Sequence, residues 1–219
     1  MGVKERQGRE REAVTRAILD AARDLFVAEG YNHVSIRKIA ERIEYSPAAI
    51  YSYFPSKDDI FFALAEEGFR LLITPRQDIL AAGDPLDAIR LPFLHVYEFS
   101  KTHPEYFALM FLDRSVPRIS QNFQRFGFVR EGKAQVAAII QRAIDAGQFP
   151  PGTHADGVFR ILMTAIFGAC ARSLCQRLAP NEDADVLARE TLDAALAGLR
   201  AGSPTTRYPD PCLEPDHQP

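Results

Sequence analysis

The sequence predicts an all-α protein, and three observations carry that expectation. Apolar residues recur at three- and four-residue steps along most of the chain, the spacing that gathers them on one side of a helix. These runs are bounded by residues that start or stop helices, among them Ser35, Ser46-Pro47, Ser56, Gly147 and Pro150-Pro151-Gly152. No segment makes a convincing strand.

Taken in order, Val14, Ala17, Ile18, Ala21, Leu25 and Phe26 form the apolar stripe of a first helix, with Arg11, Arg16, Asp20, Arg23 and Asp24 at the other positions. Glu29-Gly30-Tyr31 ends it, Gly30 being suited to a left-handed cap. Ser35 is a natural N-cap for a short second helix whose buried side is Ile36, Ile39, Ala40 and Ile43. Ser46 caps a third, where Pro47 fits the first helical position because its missing N–H has no partner to lose. That helix stops before Pro55. Ser56, with Asp59 at the capping-box position, opens a long fourth helix through Ile60, Phe61, Leu64, Phe69 and Leu72 to Pro75.

The pattern beyond stays helical. Asp84-Pro85 opens a segment to about Thr102, with Pro92 kinking it or splitting it in two. His103-Pro104 opens a short apolar helix, Tyr106 to Leu112, and a longer one is expected from about Ser120 to Ala146. Thr153 is read as the cap of a helix reaching Leu178, and Asn181 as the cap of a last one reaching Ala201. Residues 202–219 hold five Pro in eighteen with little apolar content, the composition of a disordered tail.

Composition narrows the class. With 47% hydrophobic and 25% charged residues the chain has ordinary globular proportions. No stretch approaches the ~18 uninterrupted apolar residues of a membrane span, and MGVKERQGRERE is too charged for a secretory core, so a cytoplasmic location is expected. Cys170, Cys175 and Cys212 form no C-x-x-C pair and no disulfide framework. Net charge is -3, unevenly divided: residues 1–57 hold ten Lys/Arg against eight Asp/Glu, and the rest is net acidic. A mildly basic N-terminal segment on an acidic body suits DNA held at one end.

The second and third helices are separated by two or three residues around Glu44-Tyr45, the pattern of a helix-turn-helix. The detail is more specific. Ala21-Ala22 with Leu25-Phe26 and Glu29-Gly30-Tyr31, then Val34-Ser35-Ile36 with Ile39-Ala40, then Ile50-Tyr51-Ser52-Tyr53-Phe54 and Ser56-Lys57-Asp58 resemble the DNA-binding domain of the TetR family of regulators. The resemblance covers residues 13–65 without a gap. It implies a three-helix DNA-binding domain at 13–56, preceded by a flexible basic arm at 1–12. A helical effector-binding and dimerisation domain at 57–201 and the tail at 202–219 complete the chain.

Candidate DNA contacts follow. Ser35 can offer its hydroxyl to a phosphate beside the free N–H groups of the helix it caps, and serves equally as a cap alone. Arg37 and Lys38 lie in the first exposed turn, open to a phosphate, a base edge or only solvent. Tyr45, Ser46, Pro47, Ala48 and Ala49 stand at the end of the third helix that faces bases in such motifs. This end lacks Arg, Lys, Asn and Gln, the usual bidentate readers, so specificity is expected to lean on Arg37, on apolar contact with thymine methyls and on DNA shape. Tyr51 and Tyr53 are two apart and face different ways. The resemblance assigns Tyr53 to a phosphate and Phe54 to the core, and leaves Tyr51 between contact and packing. Lys57 is a further phosphate candidate. Lys4, Arg6, Arg9 and Arg11 serve either as a DNA-seeking arm or as a solubilising one.

In the TetR family the C-terminal half binds a small molecule and dimerises through its last two helices. Here those helices offer Ala165, Gly168, Ala169, Arg172, Leu192, Leu196 and Leu199 as interface candidates, residues that would serve an intramolecular core as well. Phe93, Tyr97, Phe107, Phe111, Phe126, Phe128, Phe159 and Phe167 are candidates to line a pocket for an apolar or aromatic effector, or ordinary core. His95, Glu98 and His103 do not have metal-site spacing, and neither metal nor cofactor is expected.

The function expected is that of a ligand-responsive regulator, by the family's usual mode a repressor. It binds a palindromic operator as a dimer and is released when an effector shifts the fourth helix and misplaces the recognition helices for grooves about 34 Å apart. An enzyme is not expected, for no nucleophile elbow, P-loop or dinucleotide glycine pattern occurs. The alternative is a helical protein-interaction domain with weak or lost DNA binding.

Overall fold

The structure, a computed structural model, describes residues 3–73, 84–118 and 125–206, which contain nine α-helices and no strand. They are α1 (Val3–Glu29), α2 (Ile36–Arg42), α3 (Pro47–Tyr51), α4 (Lys57–Leu72), α5 (Pro85–Thr102), α6 (Pro104–Phe107), α7 (Gly127–Asp145), α8 (Ala155–Leu174) and α9 (Ala184–Arg200). A 3-10 turn, Tyr31–His33, follows α1, and a π-helical stretch, Ala108–Leu112, follows α6. The all-α expectation holds.

Several boundaries differ from those expected, each for a local reason. Residues 3–12 are the first turns of α1 rather than a flexible arm. Their charges alternate at helical spacing, as in Glu5 to Arg9 and Arg6 to Glu10, which favours a helix even where little is buried. Gly30 has the expected positive φ, 82°, with an extended ψ of 145°. α5 runs through Pro92 unbroken. α7 begins at Gly127, not Ser120, after a turn at Arg125-Phe126; Ser120 and Pro75 lie outside the described residues.

α8 is capped by His154, and the Thr153 hydroxyl donates instead to the Pro150 carbonyl (2.8 Å). It stops at Leu174, where Gln176 turns left-handed (φ 52°). α9 takes its cap from Asp183, which accepts from the amides of Asp185 and Val186 (2.8 and 3.0 Å), two residues after the expected Asn181. The start of the expected tail is docked. Thr205 accepts from the His154 amide (3.1 Å) and the Thr206 carbonyl from Arg160 (2.7 Å). Residues 207–219 of that tail, with Cys212, lie outside the described residues.

The chain forms two compact units, one of Met1–Leu71 with His103–Arg125 and one of Leu72–Thr102 with Phe126–Pro219. α4 up to Leu71, α6 and the π-helical stretch therefore group with the first three helices, whereas the sequence places a boundary after residue 56. The core of the first unit is Ile18, Phe26, Ile39, Ile50, Ile60, Phe61, Leu64 and Phe107. At Gly68 the π-helical stretch comes so close to α4 that a Cβ would collide with Met110 Sδ. In the second unit α8 packs against α5, α7 and α9, burying Val158, Leu162, Ile166 and Cys170. By length and composition alone α8 is also apolar enough to cross a membrane, its most apolar stretch having a mean hydropathy of 1.4; here it is the helix on which the unit assembles.

Candidate nucleic-acid interface

α2 and α3 have seven and five residues, too few to be stable alone. Their ends are accordingly well secured. Ser35 Oγ accepts from the Lys38 amide (3.2 Å) and Ser46 Oγ from the Ala49 amide (3.1 Å), as the sequence reading expects of both serines. α2 ends in a Schellman turn: the Tyr45 amide reaches the Ala40 carbonyl (2.9 Å) and the Glu44 amide that of Glu41 (3.3 Å). This needs a left-handed residue, supplied by Glu44 (φ 60°) where glycine is usual. Ile36, Ile39, Ala40 and Ile50 are buried beneath the pair, and Phe54 behind it.

The outer face of this motif is apolar and weakly charged. Tyr45 and Tyr51 are 45% and 55% exposed, Ser46, Pro47 and Ala48 lie open with them, and Ala49 is half-buried. Arg37 stands out from α2 with its side chain 81% exposed, held only by Glu41 one turn on (2.9 Å). Lys38, one residue later, is turned back onto the Glu29 carboxylate. Ser35 is exposed at the start of the same helix.

Lys57 and Tyr53 are more constrained. The Lys57 ammonium donates to the Tyr31 carbonyl (2.8 Å) and sits 4.0 Å from the centre of the Tyr31 ring. Burial lowers its pKa, against the nearby Asp58 carboxylate. Tyr53 is half-buried beneath the guanidinium of Arg11, 4.9 Å from its ring centre. Arg11 also donates to the Ser52 carbonyl (3.3 Å).

Tyr31 ties three segments of this unit together. Its phenol donates to Asp58 at the start of α4, and its amide donates to Asp113 after the π-helical stretch (3.3 Å). Burial, and then Asp58, push the phenol well above its ordinary pKa. Burial would raise Asp113 too, but the hydroxyl and amide of Ser115 and the Tyr31 amide outweigh it and hold the carboxyl below the usual range. Arg16 makes a fork to Glu67 on α4 (2.7 and 2.6 Å), which lowers the Glu67 pKa. No spacing in the sequence signals these links, since the partners are 27 to 82 residues apart.

The aromatic residues expected to line one effector pocket divide between the two units. Phe107 and Phe111, 5.0 Å apart, belong to the first, where Phe111 also meets Phe69 edge-on. Phe93, Tyr97, Phe126, Phe128, Phe159 and Phe167 belong to the second. There Phe93 and Phe159 pair at 5.6 Å, Phe126 and Phe128 lie 6.5 Å apart, and Tyr97 donates to Asp185 (2.7 Å). Only Tyr97 of the set reaches the shallow cleft formed by Leu94, Glu98, Asp185 and Arg189.

The candidate dimer residues also divide. Leu192, Leu196 and Leu199 are each 1% exposed, and Ala169 3%, within the protomer itself. Their side chains belong to its own core, because the leucine stripe of α9 faces α8. Gly168 and Arg172 lie open and Ala165 is half-buried; Arg172 pairs with Glu182 (2.6 Å).

A family model described as bacterial regulatory proteins, tetR family, matches residues 18–64. A nucleoid occlusion factor, SlmA, of Vibrio campbellii is 31% identical over 173 residues, 75% of this chain and 81% of that protein. The HTH-type transcriptional repressor Rv1474c of Mycobacterium tuberculosis is 38% identical over 81 residues, 33% of this chain. The chain spans only 42% and 43% of the first two curated relatives it matches. Among solved structures, the TetR-family regulator PfmR of Thermus thermophilus superposes with a TM-score of 0.62 at 22% identity, covering 83% of this chain and 98% of that one.

Proposed function

This chain belongs to the TetR family of bacterial transcriptional regulators, and on that premise we propose that it binds a palindromic operator as a dimer and releases it when a small apolar or aromatic effector binds. The observation that carries the DNA-binding part is the exposed face from Tyr45 to Tyr51, capped by Ser46 and backed by Ile50 and Phe54 yet partnerless on its outer side among the described residues. Pro47, Ala48 and Ala49 are suited to thymine methyls, and Tyr45 and Tyr51 to base edges or phosphates. Ser35, Tyr53 and Lys57 are proposed phosphate contacts. Lys57 keeps two of its three donors for that purpose after its bond to Tyr31. Arg37 is the proposed base reader.

For the dimer, the leucines of α9 are unsuitable because they are buried, so the proposed contact moves to the opposite faces of α8 and α9. Thr164, Gly168 and Arg172 on α8, and Glu190, Ala194 and Ala197 on α9, recur at four- and three-residue steps and are exposed. Small side chains there permit close helix approach. For the effector, the Phe93–Phe159 region of the second unit is the proposed site, and ligand binding would shift the population away from the DNA-competent state.

A second reading, a protein-interaction domain with weak DNA binding, is favoured by one observation: no Arg, Lys, Asn or Gln occurs from Tyr45 to Tyr53. Selection from a random-sequence duplex library followed by mobility shifts at two salt concentrations decides between them. A regulator retains a defined sequence and loses affinity steeply with salt. Recovery of no preferred sequence sinks the proposal and leaves the second reading.

A further inference from the structure

A cation placed against the end of the recognition helix is one that the sequence assigns to a flexible arm. Arg11 donates Nη2 to the carbonyl of Ser52, the C-cap of α3 (3.3 Å), and lays its guanidinium 4.9 Å from the ring centre of Tyr53. Because α1 begins at Val3, Arg11 stands in its third turn, on backbone fixed by the helix, with the Thr15 hydroxyl donating to its carbonyl one turn on (2.8 Å).

Its charge is also left unneutralised. Arg16, Arg23, Arg37 and Lys38 in the same unit each hold a carboxylate. Among the described residues Arg11 holds none, and it is exposed to solvent. A guanidinium has five donors in a planar fork that matches phosphate geometry. Only one of the five is engaged at Ser52. The remainder lie beside the phenol that the proposed function places on a phosphate.

We infer that Arg11 and Tyr53 form a two-residue clamp for one DNA phosphate, with Arg11 both fixing the Tyr53 ring and supplying the charge. The inference rests on the DNA-binding reading and deepens it. It separates two kinds of contact in the motif: a backbone clamp at the C-terminal end of the recognition helix, and sequence reading at its N-terminal end and on α2. Phosphate contacts position the protein on the duplex without carrying sequence information, so the clamp sets register while Arg37 and the exposed face choose the site.

The test uses the full chain and a duplex that the wild-type protein selects from a random-sequence library, with affinity measured by fluorescence anisotropy across a salt series. Arg11→Gln is expected to weaken binding about tenfold and to lower the slope of log affinity against log salt by about one. Arg11→Lys restores the slope but not the full affinity, because it keeps the charge without the planar fork. Tyr53→Phe and Arg11→Gln together cost less than the sum of the two, since each disables the same clamp. An Arg11→Gln protein with unchanged affinity and slope overturns the clamp. So does one that loses affinity and melting temperature while the slope stays put, which marks a folding role only. If the wild-type protein retains no duplex, the DNA-binding reading fails and the clamp with it; wild-type binding with an indifferent Arg11 sinks the clamp alone.

Discussion

The helix pair at the front of the chain and the pair at its end are held by different means. α2 and α3 have twelve residues between them, and their conformation depends on serine caps, a left-handed Glu44 and the buried Ile36, Ile39, Ile50 and Phe54. α8 and α9 have twenty and seventeen residues and pack on each other through continuous apolar stripes. A short helix fixed at its ends and from behind leaves its outer face free to change without loss of fold, which is what a sequence reader requires. A long helix fixed along its length has already committed its apolar side. Substitutions should therefore separate the two regions by size of effect and by kind.

The largest effect is expected at Leu196. Truncation of this fully buried side chain to alanine should cost about 2–5 kcal/mol, read as a lower urea midpoint with the slope unchanged. Should Leu196→Ala instead leave protomer stability alone and dissociate a dimer, the leucine stripe faces a partner and the comparison collapses.

Acid comes next. In the first unit Arg16 lowers Glu67, and Ser115 with the Tyr31 amide lowers Asp113 against the effect of burial; in the second Lys101, then Tyr97, lowers Asp185. A carboxylate whose folded pKa lies below its unfolded value contributes stability above the unfolded value, near 4, and loses it as pH falls through the folded one. Melting temperature should accordingly be flat from about pH 5 to 8 and drop below about pH 4. Asp113→Asn should make that drop shallower. If the variant and the wild type fall in parallel, Asp113 is not a contributor to the tie between Tyr31 and the end of the π-helical stretch.

Smaller losses are expected at the caps. Ser35→Ala and Ser46→Ala should each cost about 1 kcal/mol, and Ser46→Ala should also weaken DNA binding by fraying α3 at its base-facing end. Hydrogen exchange of the α3 amides is the direct measure. Equal protection in Ser46→Ala and wild type would mean that α3 is held from behind alone, and that its caps matter as little as those of a long helix.

The same contrast explains what could be read from the chain. Ser35, Ser46 and Ser56 were identifiable because a cap is a local event, decided by the residue and the few after it. The choice of Asp183 over Asn181 was not, because both residues are good caps two positions apart and packing decides between them. The end of α8 escaped because Gln176 occupies a conformation usually marked by glycine. Periodicity correctly found the Leu192, Leu196 and Leu199 stripe but could not tell an internal neighbour from a partner copy. Tyr31 with Asp58 and Asp113, and Arg11 with Tyr53, are encounters across long separations for which one sequence holds no signal.

The smallest structural effect, and the sharpest functional one, is expected at Arg37. Its side chain is exposed and its one partner, Glu41, lies a turn away on the same helix; such pairs contribute little to stability. Arg37→Ala should leave melting temperature within error. Yet Arg37 is a strongly exposed cation at the start of α2, next to a recognition face that has no side chain able to make a bidentate base contact. Selection from a random library with Arg37→Ala should therefore return a different or degenerate sequence at one base pair of each half-site, whereas Arg11→Gln, acting on the backbone, should return the wild-type sequence at lower affinity. An unchanged consensus with Arg37→Ala would hand the reading to the exposed tyrosines and to DNA shape. The bare face from Tyr45 to Ala49 would then be the reader itself, not the blank beside one.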